Sequence, residues 1–167
     1  MRSSLLVLIA VLLVALYQWF HFYALLPPVL ASHFGADGQP NGWSSKSSFF
    51  VMEWAIIGAL AFVFIVLPRF LQRLPNEWIN LPSKDYWLAE ERRNETVAFI
   101  QHMVEWMGVV ALAFVTTLIQ WTIQINLHPG GTFSQRSMIL FPGIYLLFIV
   151  GWSIRFFLRF RLPQKSG

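Results

Sequence analysis

Four apolar runs restrict what this chain can become: "LLVLIAVLLVALYQWFHFYALL" from Leu5, "FFVMEWAIIGALAFVFIVL" from Phe49, "VAFIQHMVEWMGVVALAFVTTLIQWTIQI" from Val97 and "MILFPGIYLLFIVGWSIRFFLRF" from Met138. At about 1.5 Å rise per residue, each is long enough as a helix to cross a hydrocarbon layer of about 30 Å. Helices are the expected form, because lipid satisfies no backbone N–H or C=O. Composition agrees: 56% of the 167 residues are hydrophobic and 12% charged, too little polarity to cover a soluble domain. Mean hydropathy is +0.56. The expectation is an all-α, integral membrane four-helix bundle forming a single domain, 1–167. Its spans are about 5–26, 49–67, 97–125 and 138–160, with an outer loop 27–48 and a second, interfacial loop 68–96. The third run exceeds what a span needs and is expected to project or tilt.

Orientation follows from the basic residues. Arg2, Arg69, Arg73, Lys84, Arg92, Arg93, Arg155, Arg159, Arg161 and Lys165 fall on one side of a four-span path, leaving Lys46 and Arg136 on the other. Basic loops stay cytoplasmic, so both termini and loop 68–96 are expected inside and residues 27–48 outside. Arg2 and "VLAS" near residue 32 imitate a cleavable signal, but the apolar stretch is longer than a signal core and ends in the aromatic belt "YQWFHFY". It reads as a retained helix. The formal charge of +4 lies beside the apolar runs, where it meets the lipid bilayer's headgroups, and no nucleic acid is expected as a partner. With no cysteine, disulfides and thiolate chemistry are excluded.

Residues 32–50 read "SHFGADGQPNGWSSKSSFF". "ADG" and "PNG" set Asp and Asn before Gly, residue types that tolerate a left-handed backbone, and Pro40 is preset for a turn. Two tight turns in a folded loop are expected. Phe34 and Trp43 are spaced to pack on each other or on the headgroup layer, and Ser44, Ser47 or Ser48 is placed to cap the second helix. Such a loop is either a compact connector or the element that recognises an outside partner. In the second loop, Pro68, Pro75 and Pro82 break the chain into short pieces carrying Trp78, Tyr86 and Trp87 among basic residues. That composition fits an interfacial anchor or a short amphipathic helix lying along the membrane.

The same loops carry two motifs. His33, Phe34, Gly38, Pro40, Gly42, Trp43 and Lys46 make up the first; Asn80, Pro82, Lys84, Asp85, Tyr86, Trp87, Glu91, Arg92 and Arg93 make up the second. Both resemble the bacterial membrane proteins defined by domain of unknown function number 1648. The chain departs from that pattern at Glu90, where Pro precedes Glu-Arg-Arg, and at Gly35, where Asn commonly follows His-Phe. The resemblance implies a multi-pass protein of the bacterial cytoplasmic (inner) membrane with no established general activity. A larger relative, the immunity protein of the sporulation-delaying toxin system, carries a similar domain with further membrane helices, which implies an immunity-like or sensor-like role as one option.

Ionisable residues inside spans are costly and count as functional candidates. Glu53 lies near the outer end of the second run, where His21 and His33 are in reach; no ligand spacing joins the three, and no metal is expected. On the third run, at 100° per residue, Gln101, His102, Glu105, Thr116, Gln120 and Gln124 share one face. That stripe either hydrogen-bonds neighbouring helices or lines a proton or ligand path. His102 and Glu105, three residues apart, are placed to pair. Gly58 with Ala61, and Gly143 with Gly151, are placed for close helix packing, and Pro142 near the start of the last span.

"HMVE" lacks the second histidine of a zinc-protease motif, and no nucleophile elbow or phosphate-binding loop is present. The chain therefore reads as non-enzymatic, with no cofactor. Three functions stay open: binding an envelope peptide, toxin, lipid or protein through the outer loop; a small proton-linked transporter using Glu53, His102, Glu105 and the stripe with Thr116, Gln120 and Gln124; or an accessory subunit of a membrane complex. The oligomeric state is left open.

Overall fold

The computed structural model describes residues 3–128 and 130–161. Arg2 and Lys165, both used in the orientation argument, lie outside the described residues. The order of elements is α1 (Ser3–Phe22), β1 (Val29–Phe34), β2 (Pro40–Ser45), α2 (Lys46–Ala61), α3 (Lys84–Trp87), α4 (Glu90–Leu127) and α5 (Gln135–Arg159). Helix α2 runs on through a π turn, Phe62–Val66, and a 3-10 segment, Leu67–Arg73. Four helices of 20, 28, 38 and 25 residues are long and apolar enough to cross a membrane, and the chain is a membrane protein on that ground.

The all-α expectation is corrected by one element. Residues 29–45 form an antiparallel hairpin, with Val29 opposite Ser45, Ala31 opposite Trp43 and Phe34 opposite Pro40, and the register shifts around His33. Only "ADG" makes a turn: Gly35 N–H donates to Gln39 O (2.8 Å), Gln39 N–H donates to Asp37 Oδ1 (3.0 Å), and Gly38 takes φ +78°. "PNG" instead begins β2. Gly42 is needed there for closeness, since a Cβ on it would lie 3.0 Å from His33 Cβ. Pro40, which has no N–H to give, opens the strand, a place where proline is tolerated.

Helix α2 starts three residues earlier than the apolar run, because Ser45 and not its neighbours caps it, accepting from Ser48 N–H at 3.1 Å. Its far end changes pitch ahead of Pro68, which lacks the N–H an α-helix needs. The π turn brings Phe64 so close to α4 that a Cβ on Gly108 would lie 2.2 Å from Phe64 Cβ. Gly108 is thus a close-packing glycine, whereas at Gly58, Gly143 and Gly151 no atom of the described residues lies within 4 Å of a Cβ.

Helices α1, α2 and α4 enclose the core. Leu8, Ala15, Ile57, Ile65, Val109 and Leu112 fill its middle; Phe22, Leu26, Leu30, Phe50, Ile119 and Ile123 fill the end beneath the hairpin. Helix α5 contributes no buried residue and lies along α4 through Phe114 stacked on Phe141 and Tyr145 (4.8 and 4.5 Å) and Trp152 Nε1–H donating to Met103 O (3.0 Å). Three helices share a core and the fourth is appended, which lipid permits because apolar exposure to lipid carries no hydrophobic penalty. Pro142 falls inside α5 and not at its start.

Loop 68–96 is itself folded. It is a folded cap in which Ile79, Leu81, Trp87, Leu88, Val97 and Phe160 make a third buried cluster, and its last seven residues already belong to α4. Helix α4, 38 residues long, begins within this cap, where Val97 joins the cluster.

Candidate functional site

The hairpin is fastened at three places. Asn126, at the end of α4, accepts from Ala31 N–H through Oδ1 (2.7 Å) and donates from Nδ2 to Ala31 O (2.8 Å), pairing with β1 as a neighbouring strand would. At the tip, Phe133 N–H donates to Gly38 O (3.1 Å), and the Phe133 ring meets Phe34 edge-on at 4.6 Å. A Cβ on Gly38 would strike Phe133 O at 2.4 Å. At the base, Lys46 Nζ donates to Leu26 O (3.2 Å) and lies over the Tyr23 ring at 4.6 Å. Gly38 and Lys46 are therefore fastenings. Phe34 packs on Phe133 and not on Trp43, which is left 63% exposed. His33 Nδ1–H donates to Asn41 Oδ1 across the strands.

Beneath this hairpin lies a largely apolar cavity of about 620 Å³, walled by α2, α4 and Phe133. Met52, Ile56, Val115 and Ile119 supply apolar wall; His33, Ser44 and Ser48 lie toward the hairpin. Glu53 lines it about two turns into α2 and is 2% exposed. Neither carboxyl oxygen of Glu53 has a hydrogen-bond partner among the described residues, nor does Ser44 Oγ. A carboxyl group among apolar walls offers a strong acceptor site, since low polarity strengthens what it does bind. His33 reaches the same cavity, as expected, while His21 stacks on Tyr17 at 5.1 Å. Among the described residues no three His, Asp or Glu side chains converge for a metal.

The polar stripe of α4 divides. Ser4 Oγ–H and Gln101 Nε2–H donate to Glu105 (3.1 and 2.9 Å) near one end. Nearer the hairpin, Gln18 Nε2 donates to Thr116 O and to Gln120 Oε1 (3.1 and 3.0 Å). The bonds from Ser4 and Gln18 join α1 to α4. Gln124 offers its carbonyl to His128 Nδ1 (2.8 Å). His102 does not join Glu105; it is exposed and turned edge-on to Trp106 at 6.3 Å. A second cavity, about 390 Å³, is lined by Ser4, Arg69, Gln101 and Glu105 at the end away from the hairpin.

The second motif folds the cap. Arg93 donates to Leu74 O (2.7 Å), Asn76 Oδ1 (2.9 Å) and Gln72 O (3.2 Å); Arg92 donates to Tyr86 O (2.8 Å) and lies over the Tyr86 ring. Trp87 is buried, its Nε1–H donating to Phe160 O at 3.1 Å. Asn80, Pro82, Lys84, Asp85 and Glu91 are exposed. Between Pro82 and Lys84, Ser83 takes a left-handed φ of 51° while its carbonyl accepts from Tyr86 and Trp87 N–H.

Gln18, Asn126 and Phe133 were not singled out by sequence. Gln18 and Asn126 do carry a signal, each an amide within or at the end of an apolar run, where a polar group needs a partner; Phe133 carries none. No curated protein and no solved structure matches the chain. A family model matches residues 5–58, which hold α1, the hairpin and α2 as far as Gly58, Glu53 included. The family is the one described as Domain of unknown function (DUF1648), and the similarity is confined to that segment.

Proposed function

We propose that this chain is a non-enzymatic recognition protein of the bacterial inner membrane, which binds an envelope partner through the hairpin and the cavity beneath it. The observation that carries this reading is the cavity itself: about 620 Å³, within the usual size range for ligand sites, largely apolar, with one buried acceptor on its wall. Arg69, Arg73, Lys84, Arg92, Arg93, Arg155, Arg159 and Arg161 lie toward the other end of the spans, which supports an outward-facing hairpin. The partner is an envelope peptide, toxin, lipid or protein, and an immunity-like or sensor-like output is compatible with each.

Crosslinking the tagged protein in its own membranes, followed by mass spectrometry, tests this. Trp43→Ala removes an exposed aromatic without touching the fastenings, and is expected to lose the crosslinked partner while still inserting. Normal capture by Trp43→Ala and by the hairpin-disrupting Gly42→Val counts against the reading.

A second reading, a small proton-linked transporter, is supported by two cavities, one holding Glu53 and the other Glu105, with the Gln18 bonds between them. In proteoliposomes, Glu105→Gln would change flux or its pH dependence; unchanged flux removes it.

A further inference from the structure

We propose that the cavity beneath the hairpin takes an amphiphilic amine: an apolar body with a single ammonium group that meets Glu53. This rests on the reading of the cavity as a ligand site and adds the chemical class.

Glu53 is 2% exposed and lines the cavity, and neither of its oxygens has a partner among the described residues, although buried carboxyl groups are as a rule paired or hydrogen-bonded. The basic group nearest in sequence is committed elsewhere, since Lys46 binds Leu26 O and the Tyr23 ring. A guest must therefore bring the donor. An ammonium brings three N–H donors on one atom, enough for Glu53 and for the unpartnered Ser44 Oγ that lines the same cavity. A metal ion is a poorer match, because one carboxylate and one imidazole, that of His33, fall short of the usual four ligands. The remaining wall, Met52, Ile56, Val115 and Ile119, offers only dispersion and apolar burial, which selects a hydrocarbon body. The volume suits a small amphiphile or the head end of a lipid and not a folded domain. A free long-chain amine and an aminophospholipid headgroup share this chemistry.

The test uses the full chain in phosphatidylcholine nanodiscs with a diazirine-bearing dodecylamine and the matched dodecanol probe, and maps labelled peptides by mass spectrometry. The amine probe is expected to label hairpin, α2 and α4 peptides at least about tenfold above the alcohol, the worth of one charge-assisted hydrogen bond. Glu53→Gln should remove that preference, and Val115→Phe, which fills the cavity without touching Glu53, should lose both labels. Displacement by decylamine alone points to a free amine; displacement by phosphatidylethanolamine points to a lipid headgroup. Equal labelling by amine and alcohol, or an unchanged preference in Glu53→Gln, overturns the amine assignment and leaves the cavity a ligand site. Labelling of these peptides by neither probe overturns both. Should Glu53→Gln fail to fold, the probe pair on the unsubstituted protein decides.

Discussion

Asn126 and Ala31 exchange two hydrogen bonds, so the last turn of α4 completes the hairpin as a third strand would. The third polar contact of this amide, Nδ2 to Thr122 O at 2.8 Å, holds its plane in line with β1. That amide is the polar link between β1 and α4 over Glu53, beside the apolar cluster that holds Leu30 and Ile123.

Asn126→Leu leaves both backbone groups of Ala31 without their side-chain partner. Unmade bonds to buried groups cost about 1–3 kcal/mol each. With two such groups the cost is about 2–6 kcal/mol, so hydrogen exchange across residues 29–34 is expected to rise by about two to four orders of magnitude, while exchange in α1 stays unchanged. Unaltered protection of the hairpin would refute this role for Asn126.

Gln18→Leu probes the joint between α1 and α4. Gln18 Nε2 serves two acceptors at once, Thr116 O and Gln120 Oε1. Hydrogen bonds between membrane helices are worth about 0.6 kcal/mol on average and seldom more than about 2. A fall of a few degrees in the unfolding temperature in detergent is expected, with hairpin protection intact. No loss would mean that apolar packing by Leu8, Ala15 and Leu112 carries the joint, and a much larger loss that the amide holds more than these two bonds.

Gly108→Val tests the contact with the π turn. The substitution drives Cβ into Phe64, and overpacking of this kind costs about 1–3 kcal/mol. Gly58→Val is the control, since no atom of the described residues lies within 4 Å of a Cβ there. A lowered unfolding temperature for the first and not the second is expected; equal effects would show that α2 and α4 separate easily.

What was legible in the sequence was set by the solvent. Four spans are visible because lipid demands long unbroken apolar runs, a local property that needs no partner to be recognised. The hairpin was invisible as sheet because "VLASHF" and "PNGWSS" lack β-branched alternation; their strand state depends on Asn126 and Phe133, each about ninety residues away in sequence. Glu53 was visible as a charge in an apolar run, but only the hairpin's placement shows that it lines a cavity. Gly58 and Gly151 fitted the small-residue pattern as well as Gly108 did, because spacing records a helix face and not which helix approaches it. Along the chain the arginines of 68–96 suit lipid headgroups; the carbonyls at 72, 74 and 86 that Arg92 and Arg93 bind become available as acceptors only once the chain has turned back on itself.

Arg93→Lys separates those two uses of a cationic side chain. The guanidinium reaches three acceptors from 72 to 76 with a planar array of N–H groups, and a lysine ammonium at the end of a flexible stem cannot span them in the same geometry. If the role were attraction to anionic lipid, the conserved charge would suffice, and Lys would behave as Arg. Since the bonds staple residues 72–76 to the first turn of α4, Arg93→Lys is expected to expose the segment 74–88, read as faster limited proteolysis there in detergent-solubilised protein, with the spans and the hairpin unaffected. Arg93→Ala should be no more than slightly worse than Lys. Proteolysis of Arg93→Lys at the parent rate would assign the residue to the membrane surface and remove it from the cap.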